Sequence, residues 1–162
     1  MKDILIDIQN RLKSEISALK YIDEDWGQLS MVNPPVKFPC ALIDISGFQF
    51  TQDGNKQQEG LGSIYVTVAD IRLTNSSAKA PANQKTAAFK IFDLIDSIHH
   101  ILHGYTGGDY SSLIRTNVGK VARNDQVKEY KITYTVGYKE ASTNAPITNV
   151  PTPPITITIV RP

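Results

Sequence analysis

Between Asp3 and Lys20 the apolar residues Ile4, Leu5, Ile8, Leu12, Ile16 and Leu19 recur at three- and four-residue intervals, while Asp7, Lys13 and Lys20 lie off that stripe. This period predicts an amphipathic helix with Asp3 as its N-cap. A second helix is predicted over 82–103, with Pro81 at its first turn and Gly104 stopping it. On a wheel of about 100° per residue, Ile91, Leu94, Ile95, Ile98, Ile101 and Leu102 share one side. Elsewhere the period drops to two. In "QVKEYKITYTVGYKE" Tyr130, Ile132, Tyr134, Val136 and Tyr138 alternate with Glu129, Lys131, Thr133, Thr135 and Lys139, the signature of a half-buried strand.

Three further strands follow from composition. "CALIDISGFQF" (40–50) leads into polar "TQDGNKQQEG", a long hairpin tip with a turn signal at Asp53-Gly54. The return strand, 61–74, carries Ile64, Val66 and Val68 in one phase and Ile71 and Leu73 in the other. Such a change implies a bulge near Ala69 or a strand covered on both faces at one end. "LIRTNVGKVARN" pairs with the last strand through a turn at Asn124 and Asp125. The stretch "DEDWGQLSMVNPPVKFP" reads as an irregular connection, and Trp26 within it is expected to lid the core.

The resulting order is α-β-β-α-β-β. Its simplest folding is an α+β domain over 1–140: a mainly antiparallel four-stranded sheet with both helices on one face. Residues 141–162 form a Pro/Thr-rich extension holding five of the nine prolines, which favour extended chain. Its "ITITIV" is β-prone and uncharged, so it is expected to add to a sheet edge of its own or a neighbouring subunit.

Charge and cysteine content narrow the function. A net charge of +1 supplies no global field for a polyanion, which disfavours specific nucleic-acid binding. Cys40 stands alone, excluding an internal disulfide and a cysteine-based zinc site. The first residues lack the continuous apolar run of a signal peptide, and no run approaches a membrane span, so a cytoplasmic location is expected.

The one cluster suggestive of chemistry is "SIHHILHG". His99 and His103 are spaced as in a zinc-binding HExxH helix, but His100 stands where the glutamate base would be. Asp96 completes a possible metal face of Asp96, His99 and His103. A metal site ordinarily draws a ligand from a second element, and no other histidine exists, so a solvated or interface-facing helix end is the expected reading. The glycines of "GYTGGDY" follow a helix instead of opening one, which is unlike a phosphate loop, and no serine has a base at recognisable spacing. Lys120, Arg123, Lys128 and Lys131 could form a basic strip, but the nearby tyrosines alternate as core residues, not as stacking partners for bases. Neither a catalytic set nor a cofactor is therefore expected.

Taken together, "DILIDIQNRLKSEISAL", "FPCALIDI", "IYVTVADIRL", "AAFKIFDLIDSIHHIL" and "YKITYTVGY" stand in an order that resembles the tail terminator, or tail-completion, proteins of long-tailed phages and related prophage elements. The resemblance covers residues 1–140 and is one of layout. It implies a non-enzymatic ring-forming α+β protein, typically a hexamer. Such a ring caps the tail-tube protein and meets the head-tail connector, in the host cytoplasm and then in the virion. A ring needs two different contact surfaces per subunit. The candidates are the hairpin tip, with Gln52, Asp53 and Lys56, and the arm, with Ile155, Ile157 and Ile159. Two alternatives stay open. One is a monomeric ligand-binding or regulatory domain using the Tyr130/Tyr134/Tyr138 face; the other is a metal-dependent protein using the 96–103 helix face.

Overall fold

The computed structural model describes residues 1–52, 57–108 and 110–141. In chain order it contains α1 (Lys2–Glu15), β1 (Tyr21–Glu24), a short 3-10 turn (Gln28–Ser30), β2 (Cys40–Gln52), β3 (Gln57–Ile71), α2 (Ala82–Leu102), β4 (Ile114–Val121) and β5 (Val127–Ala141). The strands form one sheet in the order β1-β2-β3-β5-β4. The class is α+β as expected, but the sheet has five strands and is mixed, because β1 runs parallel to β2. The added strand is "YIDE", too short to show a period. It pairs because the turn after α1 delivers it beside Cys40–Ile43.

α1 ends at Glu15, earlier than its apolar stripe. Ile16 and Leu19 remain buried because the following turn keeps them over the same core. Met1, not Asp3, occupies the N-cap, and Asp3 sits in the first turn, where a carboxylate favours the helix dipole. α2 matches its prediction closely and stops before Gly104, which has φ +79°. Ile4, Ile8 and Leu12 from α1 meet Ile91, Ile95 and Ile98 from α2 over Ile43, Val66, Ile132 and Tyr134. Burying each such aliphatic side chain contributes about 1.5–3 kcal/mol, so this layer dominates stability.

The phase change in β3 has its second explanation. Val66, Thr67, Val68 and Ala69 are all buried, and β3 keeps register with both neighbours through Ala69. The bulges lie instead between Ile45 and Gly47 in β2 and between Arg115 and Asn117 in β4. On the face away from the helices, Cys40, Leu42 and Ala69 form a second cluster closed by Leu29, with Val36 and Phe38 packed against it. The proline-rich connection is thus a cover for the sheet's far face. Burial there pushes the Cys40 thiol up to about 12, leaving it an inert apolar group.

The expected 51–60 loop is mostly strand. β2 and β3 pair from Cys40↔Ala69 out to Gln52↔Gln58, and β5 accompanies β3 to Gln57↔Ala141. The result is a three-stranded ribbon at the sheet's distal end, where Leu61 is 64% exposed.

Candidate assembly surfaces

Helix width determines which part of the sheet stays open. A helix about 10 Å across spans about two strands at their spacing of about 4.8 Å. α1 lies over β1 and β2, and α2 lies over β3. That leaves β4, at the end of the sheet, beside α2 rather than beneath it. Val118, facing the same side as buried Ile132, is consequently 39% exposed. The α2 flank above it carries Phe89 and Phe92, both exposed, and the Phe92 ring meets Tyr130 edge-on at 5.3 Å. Lys128 reaches up from β5 to donate to the Ala88 carbonyl at 2.5 Å. Together these residues make a shelf with an aromatic wall, Phe89 and Phe92, and a floor of Tyr130, Val118 and Lys120.

The histidines close one end of this shelf. His103 Nδ1 accepts the Arg115 backbone N–H at 3.1 Å, tying the C-terminus of α2 to β4. The His99 ring lies 4.7 Å from that of His103, with its Nδ1 buried and unpartnered among the described residues. Burial, then the Arg115 charge, lowers the His99 pKa below its ordinary value. Asp96 does not join them: among the described residues no group of three or more His, Cys, Asp or Glu is placed to hold a metal ion. In this structure the pair joins a helix end to an edge strand.

A second solvent-facing apolar group lies across the sheet. Trp26 does not lid the core. It is 52% exposed, and Met31 and Val32 beyond it are 49% and 98% exposed. Leu29 and Gln28 turn inward and are buried. Gln28, fully buried, accepts from the Trp26 N–H at 2.9 Å and donates to the Glu24 carbonyl at 2.8 Å. Asp25 accepts from Gly27 N–H and Thr67 Oγ1. Arg123 anchors the same loop from the β4–β5 turn, donating to the Leu29 carbonyl at 2.8 Å while holding Asp125 and Glu129. A compact, well-bonded loop therefore presents tryptophan outward.

Of the other expected sites, Gln52 is exposed at the end of β2 opposite Gln58. Asp53, Lys56, Ile155, Ile157 and Ile159 lie outside the described residues. The basic strip is divided by the register of β5, since Lys128 and Lys120 face the helix side whereas Lys131 lies over Tyr65 on the far side. Tyr134 is fully buried and Tyr130 is covered by Phe92, so they do not line a binding pocket. Tyr138 does line a groove of about 800 Å³ along the distal ribbon, with Gln49, Leu61, Gly137 and Ser111. Nothing in the sequence pattern singled out Phe89 and Phe92, although both sit off the apolar stripe of α2 where polar residues are expected.

Among the described residues no helix is long and apolar enough to cross a membrane. No protein-family model matches the chain, and no curated protein matches it. Among solved structures it is similar to a chain of the "Virion of native gene transfer agent (GTA) particle". The two are 10% identical with a TM-score of 0.45, the match covering 82% of this chain and 92% of that one.

Proposed function

We propose that this protein is a structural assembly subunit. In this reading it closes into a hexameric ring like those of the tail terminators its layout resembles, caps a phage-type tail tube and meets the head-side connector. It acts without catalysis or cofactor, in the host cytoplasm and then in the particle. The observation that carries the reading is the presence on one subunit of two unlike apolar surfaces, the Trp26 loop and the α2/β4 shelf, on opposite faces of the sheet. Exposed apolar groups at two separate places favour heterologous contact, the kind that generates rings. The distal ribbon gives such a ring a rigid projection.

The test is the mass of the purified full chain by light scattering across a wide concentration range, with images of any large species. Closed rings are expected as concentration rises. The C-terminal arm contributes to assembly in this reading, so a chain lacking 142–162 should keep its fold and assemble less well. The groove of about 800 Å³ beside Tyr138 favours the second reading, a monomeric ligand-binding domain. A strict monomer at every concentration would displace the ring in its favour.

A further inference from the structure

We infer that the Trp26 loop of one copy seats on the α2/β4 shelf of the next, so that these two surfaces are the two halves of one heterologous contact. The inference rests on the ring reading above and assigns it a specific interface.

Three observations converge. The first is shape and chemistry. The loop offers a tryptophan with Met31 and Val32, while the shelf is a step between an aromatic wall and a sheet floor. Tryptophan held outward by a bonded loop is a characteristic interface anchor, and its ordering entropy is already spent because Gln28, Asp25 and Arg123 fix the backbone.

The second is charge. Asp23 and Asp25 precede Trp26 on the loop's side of the sheet, while Glu24 falls beside Ile43 on the helix side, and Lys37 is the loop's basic residue. The shelf floor and its ends carry Arg115, Lys120 and Lys128, with Asp70 beside Lys128 and Asp96 on the adjoining exposed side of α2, leaving a net basic step. An acidic aromatic loop therefore faces a basic aromatic step. Complementary charge of this kind fixes orientation and speeds encounter.

The third is placement. The loop covers the far face of the sheet, and the shelf lies on the helix face at the β4 edge. One subunit can use both at once, as repeated head-to-tail contact requires. Direct strand pairing between copies is a poorer route, because of the two edge strands β1 is only four residues long and β4 carries a bulge.

The experiment uses the full chain and follows its mass by sedimentation. Trp26→Ala and Phe92→Lys are each expected to weaken association roughly tenfold or more, with unchanged thermal midpoint and far-ultraviolet dichroism. Mixing these two variants should give dimers and nothing larger, since each retains one intact surface. Asp23→Lys and Lys120→Glu should each weaken association, and the double variant should recover it. Wild-type rings that survive Trp26→Ala and Phe92→Lys would overturn this contact while leaving the ring reading in place. Rings lost only on removal of 142–162 would assign the contact to the arm instead. A wild-type chain that stays monomeric from micromolar to millimolar concentration would overturn both.

Discussion

The Phe50 ring lies directly over the backbone of Gly60 on the neighbouring strand, so that a Cβ added at Gly60 would stand 2.6 Å from the ring's Cε1. Two residues along, Phe48 covers Gly62 in the same way, and there the added carbon would also meet the Gly47 carbonyl oxygen at 2.6 Å. Aromatic rings thus replace the missing side chains of two strand glycines. This cover gives the distal ribbon an ordered surface beyond the reach of the helices.

Gly62→Ala is expected to destabilise the protein by about 2 kcal/mol, because backbone must move to admit the methyl group. Gly60→Ala should cost about 1 kcal/mol or less, since the half-exposed Phe50 ring can swing aside. Thermal unfolding of the two variants checks the order. Equal losses would mean that the ribbon absorbs both groups alike.

The second prediction concerns Asp7, which the helical stripe assigned to the solvent side. It accepts hydroxyl hydrogen bonds from both Tyr105, at 3.1 Å, and Tyr110. The Arg11 guanidinium stacks 3.9 Å from the Tyr105 ring centre. Burial, then the hydrogen bond to Asp7, pushes the Tyr110 phenol well above its usual range, so it remains a neutral donor. Asp7→Leu leaves the buried Tyr110 hydroxyl without its acceptor and should cost about 2–3 kcal/mol. Tyr110→Phe removes the donor but leaves Asp7 its Tyr105 bond, and should cost about 1 kcal/mol. Chemical denaturation separates the two, and Asp7→Leu proving the milder would contradict the assignment.

How much of this was legible in the sequence depends on the range of the forces involved. α2 was readable almost to the residue, because Ile91 to Leu102 repeat one face and Gly104 permits the positive φ that ends it. β1 was not readable. Four residues carry no period, and its parallel partner lies some twenty positions away, so only the packed fold determines the pairing. The far-face cluster left a trace in the phase change at Ile71. Its cause, the cover by Leu29 and Val36, is a tertiary event. Trp26 shows the limit most clearly: burial is the usual fate of tryptophan, yet Gln28 and Leu29 fill the inward positions of that loop and turn the ring out. The shelf followed from no single residue. It exists because two helices cover fewer strands than the sheet contains.

A third prediction follows from His99. Its folded pKa lies below the ordinary value of 6.5, through burial first and then the Arg115 charge. A group depressed on folding binds protons more readily when unfolded, so stability is fully present above the unfolded pKa and declines as pH falls through the folded one. The thermal midpoint should therefore drop as pH is lowered from 7.5 towards 5.5. His99→Leu removes the unpartnered Nδ1, is expected to stabilise by about 1 kcal/mol at neutral pH, and should flatten that drop. A decline unchanged in His99→Leu would assign it to other groups.

The last prediction tests the anchoring of the Trp26 loop. Arg123 joins the β4–β5 turn to that loop, and its planar fork serves three partners at once. One edge holds Asp125, Nη1 donates to Glu129 at 2.6 Å, and Nη2 reaches the Leu29 carbonyl at 2.8 Å. Hydrogen bonding to Asp125 holds the guanidinium charged and keeps the Asp125 carboxyl down at about 2, so the Arg123–Asp125 pair persists across the whole working pH range. Lysine has neither the planar geometry nor the number of donors to replace it. Arg123→Lys should therefore cost about 2 kcal/mol, because a lysine cannot hold Asp125 bidentately while also reaching the largely buried Glu129 and the Leu29 carbonyl. Arg123→Ala should cost more. Hydrogen exchange should rise selectively over 26–32 in both variants, while α2 and the β3–β5 pairing stay protected. Loss of protection spread evenly over the sheet would mean that Arg123 supports the core as a whole and that the loop is held by Gln28 and Asp25 alone.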